Sequence, residues 1–194
     1  MPLSTENRLR YASKARVTAG LAWLRGWITS PAYDAGLARI EQLLARPDSR
    51  WASHTLHESA SWRVALFGMA PRAELPIHDH PGTRGLLHVI DGEVRIIRFE
   101  IGRARSSTRF AELRHRGSRH VVAGDSEVFG RRYRNIHALQ TGARRTFILS
   151  ARNRLGAERE ACLYTPLSSS SSSQNGLIPA FVLKYQLHAE PTMD

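Results

Sequence analysis

Apolar positions recur with a helical period over the first fifty residues of the chain. The first predicted helix covers residues 17–28. The second has clear start signals, with Ser30 as N-cap and Pro31 at the first helical position, and it ends before Pro47. Its apolar residues lie on one stripe: Tyr33, Leu37, Ile40, Leu43 and Leu44. We therefore expect residues 1–50 to form a helical N-terminal extension.

After Trp51 the pattern changes to short segments that favour strands. Asp91-Gly92, between two such segments, is a strong signal for a two-residue hairpin. The predicted strands are 62–69, 85–90, 93–100, 108–113, 120–122, 127–129, 133–139, 146–151 and 180–187. Many short strands with close turns are typical of an all-β sandwich or barrel. We expect residues 51–194 to form one β-barrel domain, with a serine-rich loop at 168–176.

The segment His78-Asp79-His80-Pro81-Gly82 contains the most informative chemistry. Side chains alternate between the two faces of an extended strand, so His78 and His80 point to the same side. A third histidine, His137, lies in the predicted strand 133–139. Zinc, iron and copper all accept neutral imidazole as a ligand. A histidine pair on one strand and a single histidine on another therefore indicate a metal site inside a small barrel.

A carboxylate ligand is less favoured at this site. Asp79 points to the opposite face if the segment is extended, which leaves Glu74 and Glu93 as the nearest candidates. Many barrel metal sites place a glutamate shortly after the histidine pair, whereas residues 83–85 are Thr-Arg-Gly here. The sequence thus predicts a neutral three-histidine site with open positions on the metal. His88 is expected in the core or beside a ligand, and surface roles or no role are assigned to His54, His57, His115, His120 and His188.

Composition narrows the classes of function. The chain of 194 residues has a formal net charge of +11, but its arginines are scattered without interleaved exposed aromatic residues. We therefore expect a solvated basic surface with a general attraction for anions and no nucleic-acid partner. The apolar runs are far too short to span a bilayer, so no membrane partner is expected. The one cysteine, Cys162, excludes an internal disulfide and fits a reducing compartment, the cytoplasm.

Three short motifs resemble the cysteamine (2-aminoethanethiol) dioxygenase and plant cysteine oxidase family. They are the segment from His78 to Gly82, Asn135-Ile136-His137, and Cys162-Leu163-Tyr164. The family belongs to the thiol dioxygenases, which are cupins with a double-stranded β-helix (jelly-roll) barrel. The resemblance implies a mononuclear Fe(II) held by His78, His80 and His137. It also implies Tyr164 as an active-site phenol with Cys162 as its thioether partner, and a reaction that adds both atoms of dioxygen to a thiol sulfur to give a sulfinic acid.

Two differences from cysteine dioxygenase bear on the identity of the substrate. Cysteine dioxygenase, in the wider group, has a carboxylate-binding arginine in a stretch near residues 51–54, where none occurs here, and a cysteine where Gly85 stands. The thiol stays open among cysteamine, cysteine and 3-mercaptopropionate types, with free cysteine the least favoured. Three other functions also stay open: a different three-histidine cupin metalloenzyme, a non-catalytic cupin that senses a metal or ligand, and a basic binding protein whose histidines are incidental. A monomer and a homodimer are both compatible with the sequence.

Overall fold

The structure, a computed structural model, describes residues 23, 26–102, 109–130, 135–154, 161–167 and 177–185. These residues include one long helix, α1 (Pro31–Leu44). They also include the strands β1 (Trp51–Glu58), β2 (Trp62–Met69), β3 (Glu74–His78), β4 (Thr83–Asp91), β5 (Glu93–Ile101), β6 (Phe110–Val122), β7 (Ser126–Phe129), β8 (Ile136–Thr141), β9 (Thr146–Arg154), β10 (Ala161–Pro166) and β11 (Leu177–Tyr185).

The strands form two antiparallel sheets. Five strands pair in the order β1-β2-β9-β4-β7, and the other six close into a barrel in the order β10-β11-β6-β5-β8-β3. The predicted hairpin at Asp91-Gly92 is wrong, because β4 and β5 belong to different sheets and do not pair. The chain instead crosses between the sheets at Gly92, whose φ of +79° lies in the left-handed region that favours glycine. The largest apolar cluster draws Met69 and Leu87 from the first sheet and Val94 and Leu139 from the second. The inner faces of the two sheets therefore pack against each other.

Helix α1 covers the outer face of the five-stranded sheet. The Ser30 side chain accepts a hydrogen bond from the backbone N–H of Tyr33 at 3.3 Å, as an N-cap does. The helix buries Ile40 completely and packs its apolar stripe against Leu66 and Phe147 of the sheet. Strand alternation places Leu66 on the outer face, so the neighbouring Phe67 faces the interior between the sheets.

The all-β class and the barrel predicted from the sequence are confirmed. Helix α1 begins at the predicted residue, and β2 has the predicted bounds. The predicted strands 108–113 and 120–122 are wrong as separate strands, because both belong to β6. The pattern does not predict β1 or β10.

Some predictions lie partly or wholly outside the described residues. Of the predicted helix 17–28, only Trp23 and residues 26–28 are described, and these are helical. The serine-rich stretch 168–176 is not described. The division into residues 1–50 and 51–194 stays a prediction. No helix in the described ranges is both long and apolar enough to cross a bilayer.

Candidate metal centre

Two strand ends and one turn bring the three predicted histidine ligands together. His78 ends β3 and pairs directly with His137 on β8, while His80 lies two residues beyond β3. The ring centroids are 4.6 Å apart for His78 and His137, 4.8 Å for His78 and His80, and 5.2 Å for His80 and His137. One nitrogen from each ring lies within 4.8 Å of the others, and all three residues are buried. One metal ion could therefore contact all three rings.

The backbone at His80 is fixed from three directions. Its N–H donates to the side-chain oxygen of Asn135 at 2.8 Å. Its carbonyl accepts from both the N–H and the hydroxyl of Thr83, at 3.2 and 2.9 Å. The chain reverses at Gly82, whose φ is +76°. These contacts hold the ring of His80 in place before any metal binds.

Hydrogen bonding and burial favour the forms of the rings that bind metals. The Nδ1–H of His78 donates to the carbonyl of Pro76 at 2.8 Å, which leaves the lone pair on Nε2. Burial, assisted by the charge of Arg152, lowers the pKa of His78 to about 4. Burial and the same guanidinium hold the pKa of His80 well below its ordinary value. Both rings are therefore neutral at pH 7, and the neutral imidazole is the metal-binding form.

No carboxylate joins this cluster among the described residues. Asp79 turns away, as strand alternation predicts, and its carboxylate accepts from the Cys162 N–H at 2.7 Å and from the Tyr164 hydroxyl at 2.9 Å. Glu74 accepts from Gln140, and Glu93 lies beside His120. Among the described residues the donor set is thus three imidazoles and no carboxylate, so a divalent ion held there would keep its full charge.

Tyr164 lies behind the histidine segment and not beside the ring nitrogens. In the β3–β10 pairing, Leu163 is opposite His78 and Tyr164 is opposite Ile77, so the two β10 side chains point to opposite faces. Leu163 lines the cavity next to the histidines, whereas Tyr164 is buried in the barrel core. Burial, together with Asp79, raises the pKa of the phenol, which therefore stays protonated. Its structural role is to donate to Asp79.

Cys162 lies two residues from Tyr164 on the same face of β10. After burial and Asp79, the Cys162 thiol adds to the raised pKa of the Tyr164 phenol, so the two side chains are neighbours. The thioether itself, and a catalytic role for either residue, stay predictions.

A cavity of about 140 Å³ opens beside the three histidines. Its apolar wall includes Trp51, Phe67, Leu75, Leu87, Leu139, Ile148 and Leu163. Its polar wall consists of the histidines, Ser150 and Arg152. The volume equals that of roughly four or five water molecules in the liquid, enough for a metal-bound ligand of a few heavy atoms.

Two residues that no local sequence motif indicates, Phe129 and Arg152, contact His80. The ring of Phe129 stacks on the imidazole, with centroids 5.2 Å apart and planes at 30°. The Nη1 of Arg152 donates to His80 Nδ1 at 2.9 Å. The signal for Arg152 is its place in β9, where Ile148, Ser150 and Arg152 occupy alternate positions and face the cavity. His88, in contrast, turns away from the cavity and contacts Ser126 at 2.9 Å.

Solved structures similar to this one come from several organisms. DMSP lyase DddQ from Ruegeria pomeroyi DSS-3 is 21% identical, with a TM-score of 0.46 over 62% of this chain and 54% of that chain. KdgF from Halomonas sp. is 10% identical, with a TM-score of 0.43 over 57% of this chain and 84% of that chain. A cupin superfamily protein from Desulfitobacterium hafniense DCB-2 is 18% identical, with a TM-score of 0.39 over 55% of this chain and 78% of that chain.

No curated protein matches the sequence significantly. The family model PCO_ADO matches residues 34–146, more than half of the chain. The matched range contains His78, His80 and His137, and it ends before Cys162 and Tyr164. The chain therefore belongs to the PCO_ADO family, which comprises plant cysteine oxidases and cysteamine dioxygenases.

Proposed function

We propose that the protein is a non-heme Fe(II) thiol dioxygenase that converts a small thiol to its sulfinic acid. The reaction is R–SH + O2 → R–SO2H. The O–O bond breaks and two S–O bonds form. The sulfur loses four electrons and dioxygen gains the same four, so no other reductant is needed. Both oxygen atoms of the product come from dioxygen.

The observation that carries the proposal is the donor set. His78, His80 and His137 offer three ring nitrogens around one point, and the described residues bring no carboxylate to it. When bound there, Fe(II) supplies the Lewis acidity that favours a thiolate over a thiol and the redox capacity for reaction with dioxygen. Membership in the PCO_ADO family supports the same reaction class.

The protein contributes orientation and the exclusion of water. Pro76 fixes the ring of His78, while Asn135 and Phe129 fix His80. The apolar side chains that line the cavity keep bulk water away from the reacting sulfur, which limits side reactions. Holding the thiol and dioxygen in one small cavity supplies proximity.

We assign Tyr164 and Asp79 a positioning role. The Tyr164 hydroxyl and the Cys162 N–H hold the carboxylate of Asp79, which lies between the two histidines of the motif. This arrangement ties β10 to the end of β3 and fixes the direction in which His78 and His80 point. The single cysteine fits action in a reducing compartment, for which we propose the cytoplasm.

The test is oxygen uptake by the iron-loaded protein. Metal-free protein is loaded with Fe(II) without oxygen and then mixed with oxygen and cysteamine, cysteine, 3-mercaptopropionate or a peptide with an N-terminal cysteine. We expect one sulfinate per dioxygen consumed from at least one thiol. His137→Ala is expected to lose iron and activity, and the control His120→Ala, on the exposed side of β6, is expected to keep both.

Two results would contradict the proposal. One is the absence of sulfinate from every thiol in a protein that retains iron. The other is a site that rejects iron and binds only zinc, since the same three ligands also suit a zinc hydroxide enzyme. Iron binding without turnover would favour a cupin that senses a metal or ligand.

A further inference from the structure

A cluster of three charged residues joins the two sheets next to the metal centre. The carboxylate of Glu127, on β7, pairs with Arg98 on β5 and with Arg119 on β6, each at 2.8 Å. The Glu127 side chain is only 3% exposed, and each of its two oxygens accepts from a different arginine. Glu127 belongs to the five-stranded sheet, whereas both arginines belong to the barrel. The cluster therefore ties the two sheets together at this edge.

The strand registers place this cluster beside two of the histidines. Arg98 is directly opposite His137 in the β5–β8 pairing, so the two side chains share one face of the barrel sheet. Glu127 and Phe129 are alternate residues of β7 and therefore also share a face. The ring of Phe129 contacts those of His80 and His137, with centroids 5.2 and 5.8 Å away. Arg98 thus neighbours one histidine, and Glu127 neighbours the ring that contacts two of them.

The position of β7 relative to the histidines depends on contacts between the sheets. β7 is a four-residue strand at the edge of its sheet, and among the described strands it pairs only with β4. The three histidines lie instead on β3, just beyond β3, and on β8, which are parts of the barrel. Backbone pairing within either sheet does not set the distance from Phe129 to these rings. The ion pairs of Glu127 cross from one sheet to the other and do set it.

Stability alone is a poor reason for a buried ion cluster. Apolar residues of similar volume often give equal or greater stability, because charges lose their hydration when they are buried. Hydrogen bonds between charged groups are short and directional, so they fix the geometry of the groups that they join. A cluster at this place is therefore better explained by the geometry that it fixes.

We propose that Glu127 is a positioning residue of the metal centre, whose ion pairs hold β7 so that the ring of Phe129 keeps His80 and His137 oriented for the metal. The inference rests on the proposed function only in taking the three histidines as a metal-binding site. It does not depend on the reaction at that site. Loss of the Glu127 carboxylate loosens the ring of Phe129 and thereby weakens metal binding.

Titration of the metal-free protein with Co(II) tests the inference, because the visible absorption of Co(II) reports both affinity and coordination geometry. Glu127→Gln is expected to raise the Kd of Co(II) on the order of 10-fold and to change the spectrum of the saturated site. The control Glu100→Gln removes a carboxylate that also pairs with two arginines, but at an exposed site on β5, and is expected to change neither. A folded Glu127→Gln protein with the Kd and spectrum of wild type would overturn the inference.

A second substitution separates positioning from a simple loss of charge. If Glu127 acts through Phe129, the Kd of the Glu127→Gln, Phe129→Leu double variant is expected to be close to that of Phe129→Leu alone. A negative charge that merely attracts the cation would contribute equally in both backgrounds. Full additivity of the two substitutions would therefore overturn the inference.

Two further variants separate positioning from general stability. Arg119→Gln removes only the more exposed partner of Glu127, so it keeps the test available if Glu127→Gln does not fold. Its Kd for Co(II) is expected to rise less than that of Glu127→Gln, and an unchanged Kd would overturn the inference. Ile40→Ala lowers stability from the far side of the five-stranded sheet and is expected to leave the Kd of the folded protein unchanged. A rise equal to that of Glu127→Gln would overturn the inference in favour of a general effect of stability.

The two proposals fail in different ways. If a thiol gives sulfinate, yet Glu127→Gln binds Co(II) as wild type does, the dioxygenase proposal stands and the inference about Glu127 is wrong. If no thiol gives sulfinate, yet Glu127→Gln weakens Co(II) binding through Phe129, the positioning role stands and the dioxygenase proposal is wrong.

Discussion

Each of the three histidines is held by a different kind of contact. The carbonyl of Pro76 orients His78, the side chains of Asn135 and Phe129 hold His80, and the β3–β8 pairing places His137. Groups that orient a metal ligand from outside the coordination sphere commonly affect metal affinity as strongly as a weak ligand does. Single substitutions behind the histidines are therefore expected to affect metal binding.

Gly85→Ala tests the contact between Phe129 and His80. A Cβ at residue 85 would overlap the ring of Phe129 and lie 2.8 Å from the carbonyl oxygen of Ala151. We expect a loss of unfolding free energy of about 1–3 kcal/mol, as for other overpacked cores, and weaker metal binding because the stacked ring is displaced. Urea denaturation and metal titration measure the two effects.

The control for this substitution is Gly26→Ala, where a Cβ would meet no atom within 4 Å. It is expected to leave both quantities unchanged. A Gly85→Ala protein with the stability and metal affinity of wild type would show that Phe129 can move without disturbing His80.

Tyr164→Phe separates a positioning phenol from a catalytic one. The change removes the hydroxyl that donates to Asp79, so we expect a loss of about 1–2 kcal/mol in stability and a several-fold weaker affinity for iron. Once the site is saturated with iron, turnover is expected to be close to that of wild type. A large fall in turnover with unchanged iron affinity would instead indicate that the phenol acts on the reactants.

A double-mutant cycle tests independently whether Tyr164 acts through its hydrogen bond to Asp79. Asp79→Ala and Tyr164→Phe remove the two ends of one hydrogen bond, so their effects on iron affinity are expected to be less than additive. Full additivity would mean that the two residues act separately.

At the scale of residues, the sequence predicts the three histidines of the site, but it does not predict that Arg152 and Phe129 contact His80. The direction of His78 and His80 follows from the local alternation of a strand, which needs no knowledge of the rest of the fold. Arg152 and Phe129 reach His80 only because β9 and β7 both pair with β4. Pairing between distant segments is a tertiary property, and neither residue belongs to a local motif.

At the scale of elements, β9 connects the outside of the molecule with the metal centre. Its residues Leu149 and Ala151 belong to an outer apolar cluster, while the alternate residues Ser150 and Arg152 line the cavity. β2 is divided in the same way, because Leu66 contacts the helix cluster and Phe67 lines the cavity. The five-stranded sheet therefore lies between helix α1 and the cavity.

Ile40→Ala tests this separation. Ile40 is fully buried between α1 and the sheet, so its truncation is expected to cost about 2–5 kcal/mol of unfolding free energy. Iron affinity of the folded fraction is expected to be unchanged, because the cavity is on the other side of β2. The measurements are urea denaturation and metal titration, with Glu41→Ala, a substitution at an exposed helix residue, as the control. A lost metal site in a folded Ile40→Ala protein would show that the helix supports the centre.

The elements that sequence patterns miss have a common physical reason. The hydrophobic pattern divides β6 because residues 114–120 are mostly polar and exposed, yet backbone pairing with β5 continues on both sides of Gly117. β1 mixes polar residues such as Ser53, Thr55 and His57 on faces that are only partly buried. Hydrogen bonding to a neighbouring strand stabilises both segments, and the hydrophobic pattern does not report it.

At the scale of the whole molecule, the metal centre lies where the two sheets meet. Residues from β2, β4 and β9 of one sheet and from β3, β8 and β10 of the other line a single cavity. The buried Glu127 is paired with Arg98 and Arg119, each at 2.8 Å, so part of the basic charge is compensated within the fold. Arg152 lines the cavity beside the histidines and contacts His80.

The most direct measurement of the central claim uses isotopically labelled oxygen. The iron-loaded protein is supplied under ¹⁸O2 with cysteamine, cysteine, 3-mercaptopropionate or a peptide with an N-terminal cysteine, and each product is analysed by mass spectrometry. The three-histidine dioxygenase site predicts, from at least one thiol, a sulfinate in which both oxygen atoms are ¹⁸O. A sulfinate that contains oxygen from water, or a disulfide as the sole product from every thiol, would contradict it.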